Sequence, residues 1–503
     1  MKRIQSSVFL LSAFLILSSL SFAQETYYVR IDTSGTHTIN VMLVPEKLSP
    51  ENNIYQFAAT APGTYQTMDI GRFVKQFHAF DASGKEVTTT HSSLNQWSIS
   101  EPAKVNKIEY VMNTTMETHL DSNFVYPMCG SSVDDDYALL NGQTFAGYFK
   151  GRQSSPIRIK LEYPQNWTLG TALEKDSDGF FRAENFDRVV DSPVLLGRLT
   201  RSSMNVDGTD VEVYTYSLSG NLTSDSLLSS IKDILQAESK FMGGLPVKKY
   251  TFLFHFGKMP YGAWEHSFSS DYTLEDQPLE PRYKEELRTI VAHEFYHIFT
   301  PLTLHSELIG NFNYEKPVMS QHLWLYEGVT EWAANIMLLR NNMITLDEYL
   351  KILSQKLNQS SSYDVKASLR DLGVNAVRMQ KEYGDIYARG AIVAGLLDLR
   401  LLELSHGQRG LREVLHELSQ EYGINKSFSE ATFFDEFTSK TYPEIGDFFK
   451  KYVIGNEPLP VREYFSKVGI DYSDFAGYDS SKAYSGLALT VADNMIVVNK
   501  VEP

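Results

Sequence analysis

The sequence predicts a multidomain α+β protein: an N-terminal antiparallel β-sandwich-like domain, a mainly helical second domain and a short β tail. Three observations predict it. Between Thr26 and Leu218, short alternating runs recur between turn residues. From Pro281 to Val453 most apolar residues fall at helical spacing. The last segment, "AYSGLALTVADNMIVVNKVEP", returns to strand texture and stops. At 503 residues the chain exceeds what one core usually organises. The expected divisions are 1–23, 24–219, 220–468 and 469–503.

The first 23 residues read as a secretory signal. Lys2 and Arg3 supply the positive start, "VFLLSAFLILSSL" the apolar core, and "SFA" before Gln24 the small-residue cleavage site. The apolar run is short for a spanning helix, which needs about 20 residues, so an exported protein without stable membrane insertion is expected, periplasmic or secreted. Cys129 is the only cysteine, so no internal disulfide is available and a packed thiol is the expectation there.

Residues 24–219 carry the runs "YYVRID", "HTINVMLV", "KIEYVMN", "IRIKLEY" and "VEVYTYSL", each strand-length and alternating. Much of the chain's complement of 29 Tyr and 29 Phe falls before residue 270, which suits strands. "LEKDSDGFFRAENFD" is polar and is expected to be an exposed loop. The texture then changes. "SDSLLSSIKDILQAESKFM" predicts a capped helix and "VKKYTFLFHF" a strand. Pro281 can open a helix and Pro301 close it, with Leu287, Ile290, Val291 and Ile298 on its apolar face. Further helices are expected from near Gln321 through "HLWLYEGVTEWAANIMLL", and at "GAIVAGLLDLRLLEL" and "LREVLHELSQEY"; "LNQSSSYD" is expected to be a surface loop.

Composition narrows the function. The net charge of −16, from 46 Lys+Arg against 62 Asp+Glu without basic clusters, excludes nucleic acid and anionic lipid as favoured partners. The chemistry concentrates in "TIVAHEFYHIFTP". On a helix, His293 and His297 share a face and can direct ring nitrogens at one metal, with Glu294 beside that face and able to take a proton from a water there. By itself the pattern also fits a helix that happens to carry two histidines. A catalytic zinc needs a third protein ligand and one open position, and Glu327 in "WLYEGVTEW" is the best candidate. Glu331, one turn later, is either an outer carboxylate that orients a ligating histidine or a solvated helix charge. Upstream, "YGAWEHSFSS" leaves the predicted strand. Gly262 and Ala263 suit a substrate cleft, and the Glu265 carboxylate either pairs with a substrate amine or is an exposed turn residue.

Together these residues resemble the glycyl-aminopeptidase family of gluzincin zinc metallopeptidases, whose members typically join an N-terminal β-domain, a thermolysin-like catalytic domain and a PDZ domain. "APGTY", "GRFVKQFHAFDASGK" and "VVDSPVLLG" look like that family's β-domain segments. "GAWEH", "HEFYH", "LWLYEGVTEW" and "YARGAIVAGLLDLRL" resemble its catalytic ones. The resemblance implies one Zn²⁺ on His293, His297 and Glu327, Glu294 as general base and acid, Glu265 on the substrate amine and Tyr387 on the oxyanion. His266 falls within the motif at the substrate. Trp264 replaces the family's usual leucine, which bears on side-chain preference, and "TPLTLHSEL" lacks the basic residues common after the zinc helix. The tail looks like the opening strands of a PDZ domain without the rest.

The expected function is an exported zinc aminopeptidase that removes small N-terminal residues, Gly or Ala, from peptides. The same fold would also serve a zinc endopeptidase, or a peptide-binding protein that keeps zinc as a structural ion. A fourth protein ligand, such as His266 or His305, would mark the last of these.

Overall fold

Alternation decides the first strand. In Glu25–Asp32, Tyr27, Val29 and Ile31 are buried while Tyr28 and Arg30 are not. A computed structural model of the protein describes residues 24–473, except 34, 122, 259–261, 364 and 365, together with the backbone of 487–492 and 495–501. The signal-like segment 1–23 lies outside these residues. Among the described residues no helix is long and apolar enough to cross a membrane.

The N-terminal half builds an eight-stranded sheet and two four-stranded sheets. The large sheet centres on Ile157–Glu162, Glu25–Asp32, Thr38–Val44, Val105–Asn113 and Val74–Asp81, in that spatial order. Its core is aromatic: Tyr27, Tyr55, Phe57, Phe77, Trp97, Tyr110 and Phe149 form one buried cluster. Burying tyrosine hydroxyls costs energy unless they are bonded. Here Tyr27 donates to the Gly147 carbonyl at 2.6 Å and Tyr110 to that of Phe145 at 2.7 Å, with the Tyr55 hydroxyl between them, 3.2 Å from each. Two expectations change here. The domain is not wholly antiparallel, because Glu25–Asp32 pairs parallel with Ile157–Glu162, whose intervening chain is long enough for a crossover. "LEKDSDGFFRAENFD" is not a loop: Glu174–Lys175 and Phe181–Ala183 pair, Phe186–Val190 is helical, and Phe181 and Phe186 are buried. Apolar anchoring overrides its polar composition.

A second, five-stranded sheet runs Thr200–Val206, Thr209–Ser217, Lys249–Gly257, Ser269–Glu275, Gly262–His266. The anticipated boundary at 219/220 therefore falls behind two strands that belong to this sheet. Their alternation is indistinguishable from that of the strands before them, and only pairing with the buried strand Lys249–Gly257 assigns them. Helix Ser224–Met242 is capped by a reciprocal Thr223–Ser226 pair and ended by Gly243 in the left-handed region. The helices Pro281–Tyr296, Thr330–Arg340 and Gly384–Leu404 follow. "LNQSSSYD" largely continues helix Leu346–Ser361, whose Thr345–Glu348 capping box fixes its start while polar residues fill its end.

Contacts divide the chain into a compact unit through Glu457 and a second one from Pro458. The second holds helix Val461–Lys467 and one antiparallel hairpin, Leu487–Ala492 with Met495–Val501. A two-stranded hairpin is the extent of the PDZ-like expectation that the described tail contains.

Candidate active site

The site sits where the edge strand Gly262–His266, the helix Pro281–Tyr296 and the segment Trp324–Arg340 converge. Pro281 starts the helix at its first turn, where a missing N–H costs nothing, and Leu287 and Val291 bury its inner face. Ile298 is buried as expected, whereas Ile290 is half-buried and lines the cavity beside His293. Regular helix ends at Tyr296, and His297 keeps helical geometry as its cap, so both histidines face one way. Glu327 lies in π-helical turns, Trp324–Val329, a local widening often found where a helix must re-aim a functional side chain.

His293, His297 and Glu327 come together. One ligand atom from each lies within 4.8 Å of the others. The Glu327 Oε2 is 3.4 Å from His293 Nε2 and 3.7 Å from His297 Nε2, and it is buried with no hydrogen-bond partner. The opposite ring nitrogens are engaged: His293 Nδ1 lies 2.9 Å from Glu331 Oε2, and His297 Nδ1 lies 2.9 Å from the Thr300 carbonyl. Two Nε2 atoms and an orphaned carboxylate oxygen facing one point, each histidine held from behind, is a donor set that fits a divalent zinc ion. Among the described residues no fourth ligand joins this group, and neither His266 nor His305 belongs to it.

Glu331 resolves toward the orienting role. Its other oxygen is 2.6 Å from Lys356 Nζ, and against the cost of burial His293 and Lys356 hold its carboxyl well below the usual range. Glu294 is buried. Enclosure, together with the Glu327 charge and despite His293, pushes its carboxyl up to about 7. Glu265 is partly exposed on the cleft wall; enclosure and the charges of Glu327 and Glu294, against His297, push it up to about 7 as well. Glu265, Glu294 and His297 form a second group whose polar atoms lie within 4.8 Å of one another. A bound dication would favour the charged form of all three carboxylates.

An open cleft of about 280 Å³ is lined by these groups and by Ala263, Tyr383 and Tyr387. Gly262 lies at the start of the same strand, where a Cβ would come 2.5 Å from the Met128 sulfur; Met128 is itself part of the cavity wall. Tyr387, half-buried, has its ring 5.6 Å from that of His293 and its hydroxyl 3.0 Å from the Tyr383 hydroxyl. Burial and the Glu327 charge raise the Tyr387 hydroxyl well above its ordinary pKa, so it remains a hydrogen donor. Its place beside Glu327 follows from two glycines: a Cβ on Gly328 would come 2.6 Å from the Gly390 Cα, so the two helices touch backbone to backbone.

His266 lies in the wall of a neighbouring cavity rather than that of the metal cavity. It is buried with its ring nitrogens 3.6 Å from Asp191 and 3.5 Å from Asp271; burial opposes its charge, yet the two aspartates push it up to about 9. Trp264 is buried too, its Nε1 donating to the Pro62 carbonyl at 3.1 Å. It lines a neighbouring cavity of about 560 Å³ rather than the metal cavity; the two cavities share Gly63, Tyr65 and Glu265. His305 lines that second cavity. Sequence reasoning missed Tyr65, Tyr126, Met128, Gln380 and Tyr383, all in the wall of the metal cavity. Four of these stand at positions no spacing rule singles out; "APGTY" was the one available signal.

Residues 26–198 match the family model of the peptidase M61 N-terminal domain, and residues 286–393 that of M61 glycyl aminopeptidase. No curated protein matches the chain. Among solved structures it is similar to an aminopeptidase N family protein from Idiomarina loihiensis, at 21% identity and a TM-score of 0.80, covering 95% of this chain and 86% of that one. It is also similar to an M1 zinc metallopeptidase from Deinococcus radiodurans, at 12% identity and a TM-score of 0.53, covering 87% and 94%. Yeast LTA4 hydrolase gives 13% identity and 0.53, covering 87% and 68%. At such identities these likenesses establish the shared fold. With the two family segments together spanning more than half of the sequence, the chain belongs to the M61 glycyl aminopeptidase family and is a zinc peptidase.

Proposed function

We propose that the protein is an exported zinc aminopeptidase that hydrolyses the first peptide bond of chains with small N-terminal residues such as Gly or Ala. The observation that carries this reading is the position of Glu265: a carboxylate on the edge strand, within 4.8 Å of the Glu294 and His297 polar atoms. An ammonium group held there would lie next to the reacting bond, which restricts cleavage to chain ends.

His293, His297 and Glu327 would hold the zinc. When bound, it supplies Lewis acidity toward the scissile carbonyl and makes water a stronger acid. Glu294 then accepts a proton from the attacking water and passes it to the leaving amine, a double task for one carboxylate beside the metal ligands. The Tyr387 hydroxyl donates to the developing oxyanion, and Tyr383, 3.0 Å away, orients that hydroxyl. Glu331 keeps the His293 ring aimed. The preference for small first residues rests on the match to the glycyl aminopeptidase family. Export rests on the N-terminal signal pattern, and peptides are the partners implied.

A second reading has one observation in its favour. The neighbouring cavity meets the metal cavity at Gly63, Tyr65 and Glu265, and could receive residues upstream of the cut bond in an endopeptidase. Blocking the substrate amine separates the two: an aminopeptidase loses N-acetylated peptides, and an endopeptidase keeps them.

A further inference from the structure

The metal-site geometry involves one residue that lies far from it in sequence. Tyr65 belongs to "APGTY" in the N-terminal half, yet its hydroxyl donates to Glu327 Oε1 at 2.7 Å, and both side chains are buried. The other oxygen of Glu327, Oε2, is the unpartnered one that faces the two histidine Nε2 atoms. We infer that Tyr65 is a positioning residue for the metal: by occupying Oε1 it commits Glu327 to offer a single oxygen, aimed at the ion. This inference rests on the zinc-peptidase reading of the site.

Three further observations carry it. Tyr65 sits at φ +47°, a left-handed backbone that is unfavourable for a non-glycine residue, so its placement is imposed by its surroundings. The backbone is held from the opposite side, because Gln380 Nε2 donates to the Tyr65 carbonyl at 3.0 Å. The ring rests against Tyr383, centroid to centroid 5.4 Å. The hydroxyl spends its hydrogen on Glu327. The loop that carries Tyr65 also places Gly63 against Glu265 and the Pro62 carbonyl on Trp264, so one turn of the N-terminal half bears on two of the carboxylates of the site.

The test is zinc affinity of the full-length chain, measured by competition with a chromophoric chelator, for wild type and Tyr65→Phe. Removing one oxygen leaves the ring in place. Outer partners of metal ligands are typically worth about 10–100-fold in affinity, and a loss in that range is expected, with an unchanged melting temperature of the metal-free protein and a smaller rise on adding zinc. Affinity within about twofold of wild type would overturn the inference while leaving the peptidase reading intact. A wild-type chain that binds no zinc would overturn both. Should the Phe variant not fold, Gln380→Ala loosens the same residue from its carbonyl side; weaker zinc binding there supports the assignment and unchanged binding overturns it.

Discussion

Glu327 presents two oxygens with different fates, and the histidines each present two nitrogens in the same way. In every case one atom is engaged by protein and its twin is left facing a common point. That asymmetry is what distinguishes a metal centre from two histidines on a helix, and spacing alone could not supply it. The ligands themselves were legible because i and i+4 geometry is a local property. Their orienters divide. Glu331 shares a helical face with Glu327 and could be nominated from sequence. Tyr65 lies 262 residues away in sequence and could not. Glu294→Gln should keep zinc binding while lowering kcat by about 10²- to 10⁴-fold, the usual weight of a proton-transferring group; single-turnover kinetics with metal content measured alongside checks this. Glu331→Ala should weaken zinc binding by about 10- to 100-fold, read by the same chelator competition.

At the scale of elements, two close backbone approaches set the site. Gly328 and Gly390 bring the Glu327 segment and the Tyr387 helix into contact, so Gly390→Ala must push them apart. It should cost about 1–3 kcal/mol, seen as a lower melting temperature, and should reduce kcat more than zinc affinity. Gly63 lies at φ +71°, where a Cβ would come 2.5 Å from Glu265 Oε1. Gly63→Ala is expected to displace that carboxylate and narrow the preference for free over N-acetylated ends, with zinc content preserved. The "GAWEH" motif was partly legible for a physical reason. Glu265 faces the cleft, but strand alternation turns Trp264 and His266 inward, into contacts with Pro62, Asp191 and Asp271. A motif read as a string treats all five residues alike; a pleated strand does not.

Over the whole molecule, strand and helix texture was readable wherever one face is buried, as in "SDSLLSSIKDILQAESKFM", which forms helix Ser224–Met242. It failed where composition and anchoring disagree, as in the 173–187 segment, and where a pairing partner is distant in sequence, as for Thr209–Ser217 with Lys249–Gly257. Buried chemistry between strands was hidden for the same reason. His255 stacks on Tyr216, and burial pushes its pKa down to about 4. An unfolded chain takes up that proton near pH 6.5, whereas the folded one does so only near 4. The stability held by neutral His255 is therefore complete above pH 6.5 and drains as pH falls to 4, by roughly 3 kcal/mol. Denaturant titrations across that range should show the loss, and His255→Phe should flatten it.

The central claim is that Glu265 makes the cleft an anchor for a chain end. The most direct measurement offers one peptide pool, free and N-acetylated, to purified residues 24–503 with zinc, and reads the products by mass spectrometry. The account predicts that free peptides shorten one residue at a time, those beginning with Gly or Ala first, while acetylated peptides persist. Internal cleavage of acetylated peptides at a comparable rate would contradict it, leaving a zinc endopeptidase on the same fold.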